Sequence, residues 1–191
     1  MDRAFVVADD LTGAAELAAF VGRPERPARV AWAGRDGRLD ASARGVDARG
    51  TSPRSADAPS IVIDTESRNL APSDARARLA GVARDLPPEV LAGVIYKKID
   101  STLRGPIRDE ITLLHALARL GPVVAAPAYP RMGRTTVGGV QYLNGVPVAD
   151  GPAGDDPVAA ARESDVTRLL PPGDHVVLDA PGGRQAGELA G

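Results

Sequence analysis

The segment Tyr96-Lys-Lys-Ile-Asp-Ser-Thr-Leu-Arg-Gly105 sets two lysines, an aspartate, two hydroxyls and an arginine side by side. Arginine grips carboxylates and phosphates with a two-pronged fork, and lysine does so as a point charge. A carboxylate accepts hydrogen bonds from hydroxyl groups or takes their proton. Two further segments carry a similar mixture: Asp9-Asp10-Leu11-Thr12-Gly13 and Asp64-Thr65-Glu66-Ser67-Arg68. Gly13 and Gly105 would let backbone N–H groups come close to an anion at a helix start. Together these groups suit a small polyhydroxylated acid, whose carboxylate needs a cation and whose hydroxyls need carboxylate and Ser/Thr partners.

The elements around these segments explain how they could meet. Each polar segment follows a short apolar run that reads as a buried strand: Arg3 to Ala8, Ser60 to Asp64 and Ala92 to Tyr96. Helical stretches follow them, at Ala14 to Val21, Ala75 to Leu86 and Pro106 to Leu120. Ala28 to Trp32, Pro122 to Ala126 and His175 to Asp179 read as further strands, and Gly34 to Pro59 as a loop. Alternating strands and helices predict an α/β fold: a mainly parallel sheet with helices on both faces, Rossmann-like in three layers. All strand C-termini then share one edge, so the three polar segments converge there. From Thr136 to Val148 an Asn144-Gly145 turn predicts a β-hairpin decoration, and Ser164-Asp165 a short helix through Leu170. The expected division is one domain over 1–180 and a flexible tail over 181–191.

Each cluster also has a plainer reading. Asp9, Asp10 and Thr12 could only cap the first helix, as Ser101 and Thr102 could cap a later one. Asp64 and Ser67 could form a side-chain turn with Arg68 in solvent. Neighbouring lysines on a strand face opposite ways, so one of Lys97 and Lys98 enters a given site, and Lys97 is favoured. Arg131 and Arg134 follow a strand and could reach the same rim. Asp155-Asp156 reads as solvated. The 191 residues contain no cysteine, which excludes disulfides, thiolate zinc sites and cysteine nucleophiles. A formal charge of −2 and 3% aromatics give no reason to expect a nucleic-acid or membrane surface as the main partner. No metal-ligand spacing stands out. The chain has no signal-peptide pattern, and the cytoplasm is the expected compartment.

Read together, Ala8-Asp-Asp-Leu-Thr-Gly-Ala14, Asp64-Thr-Glu-Ser-Arg68 and Tyr96 to Gly105 resemble the N-terminal domain of the four-carbon acid sugar kinase family. Ala126 to Thr136, the stretch from Gly139 through Asn144-Gly-Val-Pro147, and Glu163-Ser-Asp-Val166 continue the resemblance in order. It implies a substrate-binding domain of an enzyme that phosphorylates the terminal hydroxyl of threonate, erythronate or 3-oxo-tetronate with ATP and Mg²⁺. It implies catalytic roles for Asp9, Asp10 or Asp100, and substrate contacts by Thr12, Gly13, Arg68, Lys97, Ser101, Arg104 and Arg134. The glycine-rich nucleotide site of the family lies in a C-terminal domain that this sequence does not match, and Gly182-Gly183-Arg184 is no substitute for it. The expected partners are a sugar acid, a nucleotide-binding domain in cis or in trans, and a second copy pairing at the hairpin edge, with inactivity in isolation. Two other readings stay open: a stand-alone hydroxy-acid binding protein, and a lyase using Lys97 or Lys98 as a Schiff base.

Overall fold

A computed structural model describes residues 5–25, 27–39, 60–86, 91, 95–118 and 122–173. The strand expected at His175 to Asp179, the stretch 40–59 and the tail 181–191 lie outside the described residues. Four parallel strands form the main sheet: β1 (Phe5–Ala8), β2 (Arg29–Trp32), β3 (Ile61–Asp64) and β4 (Ile95–Lys98), in the order β2-β3-β1-β4. Among the described residues, α1 (Leu11–Val21), α2 (Pro72–Asp85) and α3 (Ile107–Ala118) cover its faces.

Side-chain alternation divides the sheet into two buried faces. Val6, Ala8 and Val62 face α1, which offers Ala14, Leu17, Ala18 and Val21 at helical spacing. Phe5, Val7 and Ile63 face the other way, onto Leu79, Val82 and Leu86 from the α2 region and Leu114 of α3. The chain after β1 therefore turns to one face, while the chains after β3 and β4 turn to the other. The carboxyl edge, where such connections part, is where open α/β sheets place their ligands.

Register places that edge in one line. Ala8 pairs with Asp64 and with Lys98, and Trp32 pairs with Asp64. The polar segment after β1 is thus central, flanked by those after β3 and β4. The α/β, three-layer expectation holds.

Beyond α3 the structure departs from the sequence reading in two places. Residues 122–128 take up no strand among the described residues, and Val124 is 89% exposed. Apolar composition suggested a strand there, but no described neighbour supplies a hydrogen-bonded ladder. The decoration is a three-stranded antiparallel sheet rather than one hairpin: β5 (Arg134–Val137), β6 (Val140–Leu143) and β7 (Val146–Pro147). Asn144 and Gly145 do turn the chain between β6 and β7, both with positive φ as a tight primed turn needs. Val148, Ala161 and Val166 pack with Leu103 and Ile107 into a second core behind the post-β4 segment. The expected short helix is a 3-10 turn, Val166–Leu169, capped by the Asp165 side chain.

Leu79 is completely buried where α2 meets the sheet. Its truncation to alanine should cost about 2–5 kcal/mol, read as a lower urea midpoint with an unchanged slope.

Candidate functional site

Asp9 leaves β1 buried, 2% exposed, and receives a fork from Arg68: Nε to Oδ2 at 2.9 Å and Nη2 to Oδ1 at 3.0 Å. Arg68 Nη1 donates to Asp10 Oδ2 at 2.6 Å. Backbone bonds fasten the same corner, with Ser67 N and Arg68 N both donating to Asp9 O. Burial works against the charge on Arg68, but the hydrogen bonds and charge of Asp9, with Asp100 and Asp10 behind, raise its pKa above the ordinary arginine value.

Asp10 does two tasks. Its Oδ1 accepts from Gly13 N at 2.8 Å and caps α1, while Oδ2 holds Arg68. The plain capping reading is correct and incomplete. Gly13 is buried, and a Cβ there would meet Asp10 Oδ1 at 2.8 Å and Lys98 Cγ at 3.2 Å. Lys98 therefore lies across the start of α1. Its Nζ donates to Ile99 O at 3.1 Å and has no carboxylate within ion-pair distance among the described residues. Thr12 is exposed on the first turn of α1.

After β4, Asp100 Oδ2 accepts from Thr102 Oγ1 at 2.6 Å and from Arg104 Nε at 2.5 Å. Burial would raise the Asp100 pKa, but those bonds and the Arg104 and Arg68 charges bring it below the usual carboxylate value. Arg104 in turn is raised, chiefly by its bond to Asp100. Its Nη1 reaches Asp156 Oδ2 at 3.0 Å. Asp156 is thus not merely solvated, as the sequence suggested. Its Oδ1 accepts from the backbone of Ala159 and Val158, and with Arg104 this brings its pKa to about 2. Ser101 and Thr102 do not cap α3, which begins at Ile107.

The flanking segments touch at Gly105. With φ at +91° it takes a conformation that disfavours side chains, and a Cβ would lie 3.1 Å from Arg68 O and 3.3 Å from Arg68 Cα. The backbone of one cluster thus rests on the arginine of another.

Beneath this surface the sequence reading missed several groups. Lys97, favoured for the site, is turned inward: its Nζ lies 3.0 Å from Glu110 Oε2, with side chains 9% and 1% exposed. Gln141 is fully buried and donates to Ser101 O at 2.7 Å, tying β6 to the post-β4 segment. Asp64 is buried, with Oδ1 accepting from Glu66 N as in the side-chain turn expected and Oδ2 without a hydrogen bond. Burial, with Glu66, Asp10 and Asp9 nearby, raises its pKa despite that bond. Arg134 sits on β5, and no bond joins its side chain to the three clusters. A polar residue on an otherwise apolar helix face, such as Glu110 among Ile107, Ile111 and Leu114, was the available signal for the buried groups.

Residues 4–176 match the family of sugar-binding N-terminal domains. The chain belongs to that family. The chain is 36% identical over 97% of its length to a D-threonate kinase of Bordetella bronchiseptica, covering 42% of that protein. It is 37% identical over 76% of its length to a D-threonate kinase of Cupriavidus necator, covering 31% of it. It also resembles a 3-oxo-tetronate kinase of Methylobacterium radiotolerans, at 29% identity over 86% of the chain and 36% of the relative. Among solved structures, a Bordetella bronchiseptica protein described as a domain-swapped dimer with bound citrate superposes with a TM-score of 0.67. The identity is 32%, over 97% of this chain and 43% of that one. The domain thus spans about two fifths of the length of the first of these relatives. No helix among the described residues is long and apolar enough to cross a membrane.

The shifted carboxylates carry a signed pH effect. Asp100 and Asp156 lie below their ordinary values, so each contributes stability that is complete above about pH 4, the unfolded value. That stability is lost as pH falls through the folded values, about 2 for Asp156. Asp64, raised, has the opposite sign, and its contribution is complete below about pH 4. The urea midpoint should therefore drop between about pH 4 and pH 2, and Arg104→Met should make that limb shallower.

Proposed function

We propose that this domain binds a four-carbon sugar acid at the carboxyl edge of its parallel sheet and presents the terminal hydroxyl for phosphorylation within an ATP-dependent kinase. The observation that carries the reading is the Arg68 fork. It joins two of the three polar clusters in a domain whose relatives are named D-threonate and 3-oxo-tetronate kinases. The bound citrate of the Bordetella structure, a hydroxylated carboxylic acid, supports the same ligand class.

Charge placement suggests how such a ligand would lie. Arg68 is already matched by Asp9 and Asp10, so these carboxylates are fixed acceptors for sugar hydroxyls. The acid group goes to Lys98, which has no carboxylate partner among the described residues, and to Arg104 Nη2, whose neighbouring nitrogens hold Asp100 and Asp156. The half-buried Asp10 and the buried Asp100 flank that position, and one of them orients the terminal hydroxyl and takes its proton. Ser101 and Thr12 border the same edge.

ATP and Mg²⁺ would supply the phosphoryl group and neutralise its charge. Among the described residues no group of three His, Cys, Asp or Glu side chains is placed to hold a metal by itself. At the start of α1, the Gly13 N–H is already taken by Asp10. The residues of this domain bind and orient the acceptor, and the donor belongs to a further domain in cis or in trans. Over 1–180 the chain acts as one substrate-binding unit, working in the cytoplasm.

Calorimetry with D-threonate and D-erythronate tests the proposal. The domain should bind at least one, and the uncharged polyol threitol much more weakly. Lys98→Met should weaken binding about tenfold to a hundredfold, the worth of one charge-assisted hydrogen bond, with little change in Tm. The domain alone should transfer no phosphate from ATP to either acid. Absence of binding to every tetronate at millimolar concentration would overturn the reading.

A further inference from the structure

A chain of buried polar groups runs under the rim and reaches none of the surface described above. Lys97 Nζ on β4 lies 3.0 Å from Glu110 Oε2 on α3. Glu110 Oε1 accepts from Ser67 Oγ at 2.5 Å, and Ser67 Oγ meets Thr65 Oγ1 at 2.7 Å. Thr65 Oγ1 donates to Ala8 O at 2.8 Å, at the end of β1. Thr65, Ser67 and Glu110 are fully buried. The chain therefore links the ends of β4, β3 and β1 through α3.

Stability alone does not account for it. A buried ion pair is replaceable by apolar side chains of similar volume with little loss, and often with a gain. The pair is also poorly aligned: neither Lys97 Nζ nor Glu110 Oε2 has hydrogen-bond geometry to any partner. The well-formed bond of Glu110 is the one to Ser67. Ser67 directly precedes Arg68, and both backbone N–H groups bind Asp9 O. Directly before Ser67, Glu66 has φ of +45°, left-handed for a residue with a side chain. Such a conformation persists where the surroundings hold it in place.

We infer that Lys97, Glu110 and Ser67 are positioning residues: Lys97 abuts Glu110 at 3.0 Å and holds it against the post-β3 segment, Glu110 pins Ser67, and Ser67 sets Arg68 in its fork on Asp9. Lys97 then acts on the ligand through this chain and does not touch it. The inference deepens the sugar-acid reading and rests on it for its binding consequence, while its effect on Arg68 stands apart from any ligand.

The test compares wild type, the double variant Lys97→Met/Glu110→Leu, and Ser67→Ala. Three readouts are taken: Tm, the Arg68 Nε–H resonance in ¹⁵N-edited spectra (assigned by its loss in Arg68→Met), and the Kd for D-threonate. In the wild type the Nε–H is held on Asp9 and should exchange slowly with water. The double variant should remain folded at the temperature of the binding measurement, yet lose the slowly exchanging Arg68 signal and bind D-threonate at least about tenfold more weakly, as expected when a contact group is displaced. Ser67→Ala should reproduce the loss of signal with the ion pair intact, and decides the matter if the double variant does not fold. An unchanged Arg68 signal and Kd overturn the inference, as does a fall in Tm that accounts for the loss of binding. If the wild type binds no D-threonate, the sugar-acid reading fails, and the Arg68 resonance alone decides this one.

Discussion

Asp9 cannot be buried as an anion unless something answers its charge, and Arg68 answers it. An isolated carboxylate at 2% exposure would cost several kcal/mol, and removing one partner of such a pair costs about 3–5 kcal/mol. Because Asp9 leaves β1 and Arg68 follows β3, this requirement fuses two corners that are far apart in sequence. Asp10 extends the fusion to the start of α1, and Gly105 brings in the segment after β4 by resting on the Arg68 backbone. The apolar layers set the strands level, and the Asp9–Arg68 pair settles what the level ends do.

The resulting rim is organised by charges that restrain one another. Asp9, Asp10, Asp100 and Asp156 surround two guanidinium groups, so neither arginine swings freely. A ligand bound at such a rim would meet groups already held in direction, which would lower the ordering cost of binding. The antiparallel sheet contributes from behind. Its Gln141 grips Ser101 O, and its apolar residues share a core with Leu103 and Ile107. This is why the post-β4 segment can hold Leu103 at a positive φ of 58°.

The main sheet was legible in the sequence because apolar runs and helical spacing report burial directly. The meeting of three polar segments followed from topology alone, since parallel strands end on one edge. What stayed hidden was pairing. Nothing in the spacing says that Asp156 reaches Arg104 across half a hundred residues, or that Lys97 turns inward to Glu110. Such partners depend on how loops and helices settle in three dimensions. Residues 122–126 failed for a related reason: apolar composition marks a segment as extended, but a strand also needs a neighbour to bond. At Asp10 and Asp64 the plain readings, a helix cap and a side-chain turn, hold, and each uses a single carboxylate oxygen.

The adjacent lysines on β4 carry a consequence for how the sequence can change. Lys97 faces α3 and Lys98 faces α1, as pleating demands. Sliding β4 by one residue in one direction would put Lys98 against Glu110 and an isoleucine beside Gly13. Sliding it the other way would put Lys97 beside Gly13 and Tyr96 against Glu110. Either shift preserves one cationic position and abolishes the other. The doublet therefore offers no redundancy: each lysine serves its own face of the sheet, and neither can stand in for the other in a shifted register.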